Sequence, residues 1–112
     1  MEVKELSKVF KAMSDETRLK ILVCLAEREE LCVCEFQELL GLSQPTVSRH
    51  LKILEEAGFL KNRREGQWVI YRLKKENKIQ IELSRIVDEA LKEDPELAAL
   101  ITKAKEINLR DG

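Results

Sequence analysis

A change of hydrophobic period at Gly58 limits what this chain can fold into more than any other feature. Ahead of it, apolar residues recur at helical spacing. Behind it, Val69, Tyr71 and Leu73 alternate with Trp68, Ile70 and Arg72, the period of a half-buried strand. Two strand-like runs, Phe59–Arg64 and Gln67–Leu73, flank Glu65-Gly66, an acid–glycine pair that signals a hairpin. Just before Gly58, a short stretch from about Cys34 to Leu40 turns Phe36, Leu39 and Leu40 inward and ends at Gly41-Leu42, because glycine accepts left-handed backbone. Ser43 then caps a longer helix running to about Ala57. Pro45 sits in its first turn, where a missing N–H costs nothing, and Val47, Leu51, Ile53 and Leu54 form its buried stripe. A short helix, a glycine turn, a longer polar-fronted helix and a hairpin make a helix-turn-helix followed by a wing.

The rest of the chain reads as helices around that unit. Leu6, Val9, Phe10 and Met13 form one stripe over residues 3–13, and Ser14-Asp15 supplies a stop and a new N-cap. Thr17–Glu27 is apolar on more than one side and is therefore expected to be central and buried. Residues 29–34 read as a short link. After Lys75, Leu83, Ile86, Val87, Ala90 and Leu91 restore helical spacing. Asp94-Pro95 then opens a last helix with Leu97, Leu100, Ile101, Ala104 and Ile107. The expected architecture is mainly α with a β-hairpin wing. It is a single domain over residues 1–112, with a reading helix at about 43–57, a wing at about 59–73 and C-terminal helices at about 76–109.

The chain has 112 residues, enough for one small domain but with a poor surface-to-volume ratio, so amphipathic terminal helices would gain from a partner chain. No apolar run approaches the roughly 18 residues that span a bilayer. The start Met1-Glu2-Val3-Lys4-Glu5 has neither the basic nor the apolar region of a secretory signal, so the chain reads as cytoplasmic and not membrane-bound. Three closely spaced cysteines, Cys24, Cys32 and Cys34, are no disulfide framework. In a reducing compartment they point to metal binding or a response to oxidants.

The net charge of −1 hides an asymmetry. Residues 44–75 carry eight Lys or Arg against three acids, leaving the remainder at −6. A basic patch on an acidic body suits a DNA-binding face. The outward positions of the longer helix are Ser43, Gln44, Thr46, Ser48, Arg49, His50 and Lys52, groups able to bond base edges or phosphates. Lys61, Arg63 and Arg64 lie near the hairpin tip, within reach of a flanking phosphate or minor groove. The plainer alternative is a polar solvent face and an exposed basic turn. His50, the only histidine, reads as a helix-surface or phosphate-contacting residue rather than a metal ligand.

Three segments, SDETRLKILVCLAE, ELCVCEFQELLGLSQPTVSRHLKILEEAGFL and REGQWVIYRL, together resemble the ArsR (arsenical-resistance repressor) family over about residues 5–75. ELCVCE is similar to the arsenite-sensing subgroup. The resemblance implies that Cys32 and Cys34 are sensing thiols and that Gln44, Thr46, Ser48, Arg49 and His50 lie in the recognition helix. It further implies a homodimer built from the terminal helices. Such a repressor would sit on a double-stranded, near-palindromic operator without a constitutive cofactor, and trivalent arsenic or antimony would release it. There are departures. Many arsenite sensors carry a third cysteine where this chain has Gln37. Residues 76–92 lack the histidine of zinc-type sensors, and residues 1–23 lack the cysteines of cadmium/lead-type sensors.

Soft thiolates select thiophilic ions. Residues i and i+2 do not face each other on a helix, so one ion held by both Cys32 and Cys34 requires non-helical backbone there. A third ligand is open: Cys24, an external thiol or water. Cys24 also reads as a small core hydrophobe. Two other functions stay open. One is a redox-responsive DNA-binding repressor; in a regular helix a Cys32–Cys34 bridge would be strained, so its disulfide would need Cys24 or another subunit. The other is a small thiol metallochaperone or oxidoreductase. No second catalytic constellation accompanies Cys-Val-Cys, so no enzyme is expected.

Overall fold

The computed structural model describes residues 1–110; residues 111 and 112 of the expected domain lie outside the described residues. The elements are α1 (Val3–Met13), α2 (Glu16–Glu27), β1 (Glu30–Cys32), α3 (Val33–Leu40), α4 (Gln44–Glu56), β2 (Leu60–Glu65), β3 (Trp68–Leu73), α5 (Lys78–Ala90) and α6 (Pro95–Glu106). Among the described residues, no helix is long and apolar enough to cross a membrane.

The expected centre of the fold is α2. Asp15 accepts the Arg18 N–H as N-cap at 3.0 Å, and five consecutive residues, Ile21 to Leu25, are buried. Helices α4, α5 and α6 and strand β3 pack around it. Gly41 ends α3 in the left-handed conformation (φ 66°, ψ 35°), and Ser43 accepts the Thr46 N–H to start α4. These two local devices set the turn between the helices.

The sheet has three antiparallel strands in the order β1-β3-β2. Residues 29–34 are therefore more than a link. Glu30, Leu31 and Cys32 pair with Arg72, Tyr71 and Ile70. Three residues carry no readable period, and the strand exists because the outer edge of β3 is available to it. The wing closes through a two-residue loop, Gly66-Gln67, between the paired Glu65 and Trp68. Gly66 has φ 60° and Gln67 is not in the left-handed region, the pattern of a II′ turn. Residues opposite one another in the register share a face. Leu31, Tyr71, Leu73 and Leu60 therefore face the helices and are buried, with Asn62 and Arg64 continuing on that side. Lys61, Arg63, Arg72 and Glu30 lie on the other.

The terminal helices differ from the expectation. Helix α6 packs Leu97, Leu100 and Ala104 within the chain and ends at Glu106, short of residue 109, because Ile107 is extended (φ −64°, ψ 136°). The Arg28 guanidinium donates to the carbonyls of Ala104 (2.8 Å) and Ile107, satisfying acceptors that a helix end leaves open. Of the α1 stripe only Val9 is fully buried, and Met13 partly so; Leu6 and Phe10 face out, as do Val3, Ile79 and Ile86.

Gly58 joins the end of α4 to the wing with φ 86°, and a Cβ there would meet Gln80 Nε2 at 2.7 Å. Gln80 and Asn77 also donate to the carbonyls of Ala57 (3.0 Å) and Gly58 (2.8 Å), tying α5 to that turn. Gly58→Ala is expected to lower the unfolding free energy by about 1–3 kcal/mol. Gly41→Asn, in open space at an angle asparagine tolerates, should cost less than about 1 kcal/mol. Urea denaturation of both variants measures the difference; equal losses would contradict the steric assignment.

Candidate nucleic-acid interface and thiol site

Helix α4 buries Val47, Leu51 and Leu54, which leaves Gln44, Arg49 and Lys52 exposed and Ser48 half-exposed. Gln44 Nε2 lies 2.6 Å from Ser48 Oγ, and Ser43 Oγ lies 3.0 Å from Thr46 Oγ1. The small polar groups thus pair along the first turns and hold their donors and acceptors in one row. Among the described residues, neither Arg49 nor Lys52 has an acidic partner. Their charge is free for phosphate or guanine.

The wing divides its basic residues by strand parity. Arg64 lies on the α4 side of β2 and has no acidic partner among the described residues. Its neighbour on that face, Asn62, reaches Glu55 of α4 at 2.7 Å. Arg63 lies on the opposite face and forks onto Glu30 (2.6 and 3.0 Å), with Glu65 at 3.0 Å. These bonds hold the Glu30 carboxyl below its usual range and push the Arg63 guanidinium higher still. Lys61 also faces away from α4, at the base of the hairpin, and pairs with Glu76 at 3.1 Å. Of the expected trio, only Arg64 is without an acidic partner among the described residues.

His50 is likewise not an outward group. It turns toward the start of α2, where the Arg18 guanidinium donates to its Nδ1 at 3.0 Å and Asp15 Oδ2 lies 3.8 Å away. Burial lowers its pKa, Asp15 partly offsets this, and Arg18 and Arg49 lower it further. It fastens α4 to α2.

Cys32 ends β1 with extended backbone (φ −84°, ψ 165°) and is the N-cap of α3. The non-helical backbone required for two thiols at i and i+2 is present. The Cα atoms of Cys32 and Cys34 are 5.4 Å apart and their sulfurs are in bonding contact as a disulfide. The expected need for Cys24 or a second subunit to form a bridge is corrected: the extended N-cap residue, not a helical one, carries the first sulfur. Cys32 Sγ also accepts the Glu35 N–H at 3.4 Å while Glu35 Oε1 accepts the Cys32 N–H at 2.8 Å, a capping box with sulfur in place of a hydroxyl. Cys24 is part of the hydrophobic core, and burial pushes its thiol up to about 12. A neutral, core-packed thiol is a poor ligand. No cluster of three His, Cys, Asp or Glu suited to a metal occurs among the described residues.

Cys34, with Cys32 buried behind it, lines a cleft of about 360 Å³ that also receives Gln37 of α3, Gln44 and Ser48 of α4, and Trp68 of the wing. The thiols and two of the side chains expected to read DNA thus line one space. Sequence reasoning missed Glu35, Trp68 and the Arg18–His50 contact. Only Glu35 had a local signal, since Cys32-x-x-Glu35 has capping-box spacing.

An exposed polar helix behind a glycine turn, flanked by a hairpin whose near-side arginine has no acidic partner among the described residues, defines a winged helix-turn-helix DNA-binding regulator rather than an enzyme. Known proteins agree. The chain belongs to the arsR family of bacterial regulatory proteins, whose description matches residues 15–62. It is 43% identical over 95 residues to the arsenical resistance operon repressor of Escherichia coli, a match covering 85% of this chain and 80% of that one. It is 55% identical over 65 residues to the arsenic resistance transcriptional regulator ArsR1 of Pseudomonas putida, covering 58% of this chain but only about half (51%) of that regulator. Among solved structures, reduced HlyU of Vibrio cholerae superposes with a TM-score of 0.69 at 32% identity, over 78% of this chain and 88% of HlyU. The homodimeric winged helix-turn-helix domain Mb0332 of Mycobacterium bovis gives 0.70 at 28% identity, over 83% of each chain.

The division of charges gives a direct test by fluorescence anisotropy on DNA from the chain's own upstream region. Arg49→Ala should weaken binding by about 1–3 kcal/mol, and Arg64→Ala should reduce the salt slope by about one. Arg63→Ala should change neither appreciably. A loss in Arg63→Ala equal to that in Arg64→Ala would overturn the parity assignment.

Proposed function

We propose that this chain is a dimeric transcriptional repressor that binds a near-palindromic duplex operator and is released when trivalent arsenic or antimony binds Cys32 and Cys34. One observation carries the reading: the Cys32 sulfur is the N-cap of α3 and lies against Cys34 at the back of the cleft that Gln44 and Ser48 share. An ion that takes both sulfurs withdraws the cap from Glu35 N–H and occupies space beside the reading helix. Loss of a helix cap costs about 1 kcal/mol, so α3 is easily disturbed at this end. Because α4 follows through the Gly41 turn, a shift of α3 moves the reading groups. The names of the relatives from Escherichia coli and Pseudomonas putida, both tied to arsenic resistance, point the same way. Cys32 and Cys34 supply two sulfurs, and Gln37 lines the cleft where a third thiol would stand, so an external thiol or water completes a three-coordinate site.

Dimerisation follows from the apolar side chains that one chain leaves in water. Leu6 and Phe10 on α1 and Ile79 and Ile86 on α5 are 38–60% exposed. The α1 and α5 faces, rather than α6, therefore carry the interface. Two reading helices about 34–36 Å apart then meet successive turns of the operator.

A second reading rests on the bonding contact of the two sulfurs. Peroxide would take two electrons and two protons from the dithiol, leaving a Cys32–Cys34 disulfide and two waters. The one experiment that separates the readings is operator anisotropy under reducing conditions with arsenite, and then with peroxide alone. Arsenite is expected to release wild type and Cys24→Ser but not Cys32→Ser/Cys34→Ser. Release of wild type by peroxide but not by arsenite would replace the metalloid reading with the redox one.

A further inference from the structure

Residues 107–110 do not run straight out from the end of α6 into solvent. They return to the β1–α3 junction and converge on Glu35, a carboxylate with no solvent exposure. Glu35 Oε1 accepts the Cys32 N–H at 2.8 Å, and Oε2 accepts the Leu109 N–H at 3.1 Å. Arg110 Nε lies 3.2 Å from Oε1, at an angle that leaves it without a hydrogen bond, and Arg110 Nη1 lies 3.7 Å from Glu30. Arg28 Nη2 lies 3.8 Å from Oε2 while its Nη1 holds the end of α6. A carboxylate removed from water persists only if its acceptors are filled and opposite charge is near. Here the acceptors are filled by Cys32 and the tail, and the opposite charge comes from Arg28 and Arg110.

We propose that Glu35 is a positioning residue for Cys32 and that residues 107–110 are a clasp holding it in place. The clasp acts through one shared group. Oε1 fixes the extended N-cap backbone of Cys32, and Oε2 fixes the tail, so Glu35 cannot swing to release one without disturbing the other. The opening of the β1–α3 junction and the undocking of the tail are thereby coupled. Cys32 is fully buried, whereas Cys34 is partly exposed. Reagents reach Cys32 only when the junction opens, and the clasp sets how often that happens. The consequence for sensing, that the tail governs how readily Cys32 meets an inducer, rests on the reading of Cys32 as a sensing thiol; the clasp itself does not.

The test uses the reduced full-length chain, iodoacetamide, and mass spectrometry that resolves Cys32 from Cys34. Leu109→Pro deletes the one N–H that the tail donates to Glu35 among the described residues, while Leu109→Ala keeps it and removes only a half-exposed side chain. The expected result is Cys32 alkylation at least about tenfold faster in Leu109→Pro, the scale of one hydrogen bond to a charged acceptor. Cys34 should be unchanged, and Leu109→Ala should match wild type. Arg110→Ala should accelerate Cys32 in the same direction. Equal Cys32 rates in the two Leu109 variants, or acceleration of Cys34 to the same extent as Cys32, would overturn the clasp. No metalloid enters the measurement, so the clasp stands or falls independently of whether arsenite releases DNA.

Discussion

The pairing of three residues, Glu30 to Cys32, with the outer edge of β3 is the constraint on which the site depends. It holds Cys32 extended opposite Ile70 until the chain turns into α3. Because that turn falls between Cys32 and Cys34, the two sulfurs meet instead of pointing to different sides of a helix. The same strand presents Glu30 to Arg63 and so removes one wing arginine from the electrostatic footprint. One short strand therefore shapes both the thiol pair and the charge left for nucleic acid.

The link between the two sites needs no long pathway. The side-chain half of the α3 capping box is one weak sulfur–amide contact, the joint to α4 is one left-handed glycine, and the thiol pair borders a cleft with Gln44 and Ser48. A ligand shifts such an equilibrium only by its differential affinity for the two arrangements. A coupling of about 1–3 kcal/mol, or 5–150-fold, is the ordinary scale. The local cost of replacing one cap by one ligand falls within it. His50, locked between Asp15 and Arg18, resists free rotation of α4 on α2, and Gln80 and Asn77 tie the end of α4 to α5. Motion of the reading helix is thus also felt at the face proposed for dimer contact.

Features set by local rules were legible in the sequence. The burial of α2, the Gly41 turn, the Ser43 cap and the wing follow from period and turn chemistry, and the structure keeps them. What escaped was decided by partners distant in the chain. Strand β1 exists only through β3. Arg63, Lys61 and His50 were placed at DNA because they are basic or polar, yet Glu30, Glu76, Asp15 and Arg18 settle where they point. Parity from buried Leu60 would have separated Arg64 from Arg63 without any structure. Glu35 was visible in spacing but not in role, because a tail more than seventy residues away completes its hydrogen bonding.

Thermodynamic linkage between the thiol pair and the reading helix underlies the proposed release, and linkage is reciprocal. It is measured as the arsenite affinity of the reduced protein, free and saturated with operator, alongside operator affinity with and without arsenite. Operator should weaken arsenite binding by the same factor, about tenfold or more, by which arsenite weakens operator binding. Equal arsenite affinity on and off DNA would refute the coupling and leave the thiols and the reading helix as independent features of one fold.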